Sequence, residues 1–114
     1  MLRILFAGTP EFAVPTLEAL IDDPVISVEC VLTQPDRPSG RGQKLSESAV
    51  KRCAITHGLA VRQPETLKDP REINRIREQH FDALVVVAYG QILRADVLES
   101  PRLGCLNVHA SLLP

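Results

Sequence analysis

The sequence predicts an α/β fold in which an open, mainly parallel sheet carries helices on both faces. Three observations lead there. Leu2, Ile4, Leu5, Phe6 and Ala7 make a short apolar run and residues 83–88 a continuous one, of the kind that suits strands covered on both sides. Residues 25–33 are rich in β-branched side chains and follow a helix-patterned segment, as a right-handed crossover between parallel strands requires. Intervening stretches carry apolar residues at helical spacing between caps and stops.

Of the 114 residues 45% are hydrophobic, enough for one modest core in a small domain or in part of a larger one. Thirteen basic side chains against 14 acidic give a formal net charge of −1, so contact with nucleic acid has to come from local clustering. Cys30, Cys53 and Cys105 are odd in number and widely spaced, which suits neither a disulfide framework nor a paired-cysteine zinc site. There is no internal repeat or low-complexity tract. The chain opens on a strand-like run rather than a signal peptide, and no apolar run reaches membrane-spanning length, so a cytoplasmic location is expected.

The first strand, residues 2–7, ends at Gly8. Thr9 is placed to cap a helix with Pro10 at its first position, and Phe12, Val14, Leu17, Leu20 and Ile21 supply its apolar face. A strand, glycine and helix in succession aim backbone N–H groups above the sheet, where an anion or a polar substrate end can sit. The stretch lacks the Gly-x-Gly-x-x-Gly spacing of a dinucleotide site, and Glu11 would repel a pyrophosphate.

Residues 34–45 hold two prolines, two glycines and three cations, and are expected to form a long exposed loop. Between residues 34 and 52, Arg37, Arg41, Lys44, Lys51 and Arg52 outnumber Asp36 and Glu47, which suits either a solvated loop or a phosphate-contacting arm. Residues 47–56 are expected to be helical, with Ser46 as cap and Gly58 as stop, and residues 59–62 to form a short strand. Asp69-Pro70 opens a further helix with Ile73 and Ile76 on one side. His57 and His80 fall near helix ends and receive no chemical role.

Residues 83–88 form the clearest strand, leaving through Tyr89, Gly90, Gln91, Ile92 and Leu93. Ligands of open parallel sheets bind outside the carboxyl ends of strands, and this exit should lie beside those of the first and last strands. Ile92, Leu93 and Val97 suit such a site or an ordinary helix face. If residues 104–108 are a strand, side chains alternate, so Asn107 and His109 share one face while Leu106 and Val108 enter the core. An amide donor and a titratable imidazole would then face one spot, as half of an active site.

Four stretches occur in order: Phe-Ala-Gly-Thr-Pro-Glu-Phe-Ala at 6–13, Thr-Gln-Pro-Asp-Arg-Pro-Ser-Gly-Arg-Gly at 33–42, Val-Val-Val-Ala-Tyr-Gly at 85–90 and Asn-Val-His-Ala-Ser-Leu-Leu-Pro at 107–114. Together they closely resemble the methionyl-tRNA formyltransferase family, over the whole chain. The fold expected is Rossmann-like, truncated after about its fifth strand. The resemblance implies transfer of a formyl group from 10-formyltetrahydrofolate to methionyl initiator tRNA, with no metal, no membrane partner and a monomeric full-length form.

By the same resemblance Asn107 steadies the oxyanion and His109 assists proton movement. Tyr89, Gly90, Gln91, Ile92, Leu93 and Val97 match the folate pocket, and Ser111, Leu112, Leu113 and Pro114 match its signature. Arg37, Arg41 and Lys44 match the tRNA-contacting insertion, and Gly8, Thr9 and Phe12 stand near the acceptor end. The chain departs from the family pattern at Gln43, Ser46, Glu47 and Ala49, where many relatives carry a further cation and two prolines. The family continues past the equivalent of Pro114 to a catalytic aspartate and a tRNA-binding domain. Residues 1–114 are therefore expected to be the amino-terminal part of a catalytic domain, inactive alone. Two other readings share some features: a formyltransferase acting on an amino-sugar nucleotide, and a non-catalytic Rossmann-like binding module.

Overall fold

The computed structural model describes residues 1–108. His109, Ser111, Leu112, Leu113 and Pro114 lie outside the described residues. Strands β1 (Leu2–Gly8) and β2 (Ile26–Leu32) pair in parallel and are joined by helix α1 (Val14–Asp22). A hairpin, β3 (Arg37–Ser39) with β4 (Lys44–Ser46), precedes helix α2 (Ala49–Thr56) and the two-residue strand β5 (Val61–Arg62). Helix α3 (Pro70–Glu78), strand β6 (Ala83–Val87), the short helix α4 (Ala95–Leu98) and strand β7 (Cys105–Val108) complete the order.

The five parallel strands lie in the order β5-β2-β1-β6-β7, so the chain winds outward from β1 in one direction and then in the other. The result is Rossmann-like. Helices α1 and α2 cover one face, packing Leu17, Val50 and Ala54 on Ile4, Phe6, Val31 and Val87. Helix α3 and the segments around it cover the opposite face, packing Ile73, Ile76 and Phe81 on Leu5, Leu32, Leu84 and Val86. Each fully buried aliphatic side chain contributes roughly 1.5–3 kcal/mol.

One irregularity sets the fit between β1 and β2. The register moves from Ile4 opposite Val28 to Leu5 opposite Cys30, leaving Glu29 as an extra residue. That insertion switches the strand's parity, so Val28 and Val31 both face α1 and α2 while Cys30 and Leu32 face the other core. Glu29 is pushed outward, where it accepts a hydrogen bond from Arg3 at 3.0 Å.

Several local expectations are corrected. Thr9 does not cap the first helix: residues Glu11–Ala13 make a 3-10 turn, α1 begins at Val14 without a side-chain cap, and the Thr9 hydroxyl bonds elsewhere. Phe12 is 47% exposed and so is not part of the packed helix face. Residues 34–45 are not one irregular loop, because Arg37 pairs with Ser46 and Ser39 with Lys44 across a turn in which Gly40, Gln43 and Gly42 have positive φ. Ser46 is therefore in a strand, and Ser48 caps α2 by accepting the Lys51 N–H at 3.0 Å. Leu106 does not enter the core: β7 is an edge strand among the described residues, and Leu106 stays 61% exposed.

Candidate active site at the carboxyl ends of the strands

The strand order reverses direction at β1 and β6, which opens a crevice between their carboxyl ends, the usual ligand position in such sheets. Thr9 stands at the mouth. Its hydroxyl donates to the Tyr89 carbonyl at 2.7 Å and accepts from the Gln34 N–H at 3.3 Å, tying the ends of β1, β2 and β6 together. Just inside, Gly8 lets the strands close on each other: a Cβ there would meet the Val87 carbonyl oxygen at 2.8 Å and Ala13 Cβ at 3.0 Å. Phe12 projects beside this point, half exposed.

Beyond β6 the backbone reverses sharply. Ala88 has φ 51° and Gly90 φ 98°, and such left-handed conformations, costly for Ala88, concentrate at functional loops. The six residues expected to form the donor pocket then divide. Tyr89 and Val97 are buried at 2% and 0% exposure in the core beneath. Burial, with a smaller contribution from Glu72, pushes the Tyr89 phenol up to about 12, so it stays neutral across the physiological range. Leu93 packs against the same core cluster, half-buried. Gly90 and Ile92 are exposed, Ile92 at 88%, and Gln91 is partly so.

Gln91 is held on three sides. Its amide donates to Gln34 Oε1 at 2.8 Å and to the Pro64 carbonyl at 2.9 Å, and its Oε1 accepts the Leu67 N–H at 3.0 Å. A cleft of about 260 Å³ lies alongside, lined by Glu65, Thr66, Leu67, Lys68, Gln91 and Ile92. A larger depression of about 510 Å³ between Asn74, Arg77, His80 and Glu99 belongs elsewhere: His80 precedes β6, at the amino-terminal edge of the sheet.

Strand β7 brings Asn107 alongside Val86, and alternation places it on the α3 face, with Leu106 and Val108 on the other. Asn107 is exposed. The register thus sets an amide donor in the strand next to β6, close to the crevice.

In the hairpin, Arg37, Arg41 and Lys44 are exposed, and none pairs with a carboxylate among the described residues. The other two cations of that stretch are already engaged. Lys51 holds Asp36 at 3.0 Å and Glu47 at 3.7 Å, and Arg52 donates to the Glu47 carbonyl at 2.7 Å. Bonds from Gln63 and then Lys51 hold the Asp36 carboxyl below its ordinary value, so it stays ionised and anchors the hairpin base.

Comparison with known proteins adds to this geometry. The family model described as Formyl transferase matches residues 2–114. The chain belongs to the formyl transferase family. Among similar curated proteins, the methionyl-tRNA formyltransferase of Halorhodospira halophila is 60% identical over 98% of this chain and 36% of its own length. That of Methylobacillus flagellatus is 58% identical over 99% of the chain and 36% of its own length, and that of Trichodesmium erythraeum 54% identical over 100% and 34%. The chain spans about a third of the length of the relatives it matches.

No group of three or more His, Cys, Asp or Glu side chains is placed to hold a metal ion among the described residues. No described helix is long and apolar enough to cross a membrane. Burial raises Cys30, Cys53 and Cys105 above the usual thiol value, which leaves all three protonated and poorly nucleophilic. Sequence reasoning missed Gln34, a buried residue whose backbone meets Thr9 and Gln63 and whose side-chain amide meets Gly90 and Gln91. The available signal was a polar residue two positions beyond Leu32, the apolar end of β2, at the crevice edge.

Proposed function

We propose that the full-length protein carrying this chain transfers a formyl group from 10-formyltetrahydrofolate to the amino group of methionyl initiator tRNA, in the cytoplasm. Membership of the formyl transferase family narrows the chemistry, and the relatives' names supply the acceptor. The observation that carries the acceptor assignment is the hairpin with Arg37, Arg41 and Lys44 unengaged, because a small sugar nucleotide has no need of a cationic arm. Residues 1–114 form the amino-terminal part of the catalytic domain. At 34–36% of the relatives' length they are proposed to be inactive alone.

The donor fits the loop after β6. Gly90 presents bare backbone there, Ile92 an exposed apolar side chain, and Tyr89, Leu93 and Val97 a packed support, which suits a flat heteroaromatic ring with hydrogen-bonding edges. When bound, the folate supplies the formyl carbon. The chain's residues do the rest. The Asn107 amide donates toward the oxygen on which charge develops, and a fixed donor costs little reorganisation at the moment of reaction. His109 takes the proton that the attacking amine sheds and passes one to the departing folate nitrogen as its bond to the formyl carbon breaks, so that tetrahydrofolate leaves neutral at that nitrogen. Ser111, Leu112, Leu113 and Pro114 are assigned to the donor site by their match to the family signature, Gly8, Thr9 and Phe12 receive the methionyl end, and the hairpin cations bind acceptor-arm phosphates.

Purified full-length protein, given 10-formyltetrahydrofolate and either methionyl initiator tRNA or an amino-sugar nucleotide, should formylate the tRNA only. Formylation of the sugar nucleotide in preference would refute the acceptor assignment.

A further inference from the structure

Four hydrogen bonds at the carboxyl ends of the strands converge on Gln34, which is 8% exposed. Its backbone N–H donates to Thr9 Oγ1 after β1, and its carbonyl accepts from Gln63 Nε2 after β5 at 3.2 Å. Its side-chain Nε2 donates to the Gly90 carbonyl at 2.9 Å, and its Oε1 accepts from Gln91 Nε2 at 2.8 Å, both after β6. Only a neutral amide gives and accepts at once at that reach, and a buried polar group left without its partners is costly.

The fit to Gly90 is equally close. A Cβ on residue 90 would stand 2.8 Å from Gln34 Nε2, so the amide occupies the space that a side chain there would need. Peptide planarity then fixes what the loop shows to the crevice. Thr9 holds the Tyr89 carbonyl and Gln34 holds the Gly90 carbonyl, both turned toward the protein. In trans peptides the N–H lies opposite its carbonyl, so the Gly90 and Gln91 N–H groups are turned the other way.

We propose that Gln34 is a positioning residue for the formyl donor: from the end of β2 it fixes the turn at residues 89–91, so that the Gly90 and Gln91 N–H groups are aimed for donor binding. It does so without touching the reacting atoms. The proposal rests on the functional reading above.

The test uses the full-length protein and Gln34→Met, which keeps the volume and loses both side-chain hydrogen bonds. Losing two such bonds should raise KM for 10-formyltetrahydrofolate about tenfold or more, while KM for methionyl-tRNA is unchanged and kcat changes less. Backbone amide order parameters should fall at residues 89–92, with β1 and β6 still rigid. A folded variant with wild-type donor KM overturns the proposal, because a merely structural role would lower stability and the active fraction and leave that KM alone. If the wild-type protein transfers no formyl group, the functional reading and the donor role fall together, and the order parameters decide only whether Gln34 holds the turn: a fall at 89–92 upholds that hold, and unchanged values refute it. Should Gln34→Met not fold, Gln34→Asn, one methylene too short to reach Gly90, gives the same readouts.

Discussion

Replacing Arg37, Arg41 and Lys44 together with alanine removes the three hairpin cations that no carboxylate engages, and spares Lys51 and Arg52, which hold the hairpin base. Each cation that meets a phosphate releases about 0.7 counterion on single-stranded and 0.9 on double-stranded nucleic acid, so three contacts should flatten the slope of log K against log salt by roughly 2 to 3. Over a rise from 50 to 200 mM salt, a slope difference of that size means the wild-type protein loses about twenty- to fortyfold more affinity than the variant. The assay is a filter or fluorescence titration of the full-length protein with methionyl initiator tRNA at several salt concentrations. The hairpin's strand pairing runs through backbone groups, and these three side chains are exposed, so the variant should fold normally. Parallel slopes for wild type and variant would refute the assignment of the hairpin to phosphate binding.

Two further predictions concern stability. Ser48→Ala removes the cap on α2 and should cost about 1 kcal/mol in denaturant unfolding, whereas Ser46→Ala, in an exposed strand, should cost much less. Equal losses would contradict the placement of the helix start. Asp82 accepts the Arg3 N–H at 2.7 Å and a bond from Arg102 at 2.8 Å, contacts that hold its carboxyl below the ordinary value. A lowered folded value means its stabilisation is present above the ordinary aspartate range and is lost as pH falls through the lowered value. The melting-temperature gap between wild type and Asp82→Asn should therefore hold at neutral pH and shrink in acid below about pH 4. A gap that widens in acid would contradict this sign.

The layout of the sheet was legible because its strands obey strong rules. Residues 4–7 and 83–87 are apolar on both faces and lie in two adjacent inner strands, β1 and β6, whose neighbouring exits define the crevice. The hairpin was not legible. Arg37, Pro38, Ser39, Lys44, Leu45 and Ser46 are all exposed, so burial imposes no alternation, and the pairing depends on positive φ at Gly40, Gly42 and Gln43. Leu106 misled for a related reason: alternation assigned its face correctly, but at a sheet edge a face is not a core.

Around the crevice, the face of Asn107 was readable from period-two alternation, whereas its chemical role was expected only from the resemblance. Tyr89 was not readable, because an aromatic residue at a strand exit suits a pocket wall or a buried anchor, and only the packing around Leu67 and Val97 shows it anchored below the loop. Gln34 was hidden by its neighbours, since its four partners come from positions 9, 63, 90 and 91, far apart in the chain.

The central claim is that the crevice beside β6 carries the reaction and that Asn107 supplies its oxyanion donor. Single-turnover formyl transfer by the full-length Asn107→Ala protein measures this most directly, because the residue is exposed and its loss should not disturb folding. The rate should fall by about a hundredfold or more with donor binding retained. A rate within a few-fold of wild type, in a folded variant that still binds donor, would contradict the account.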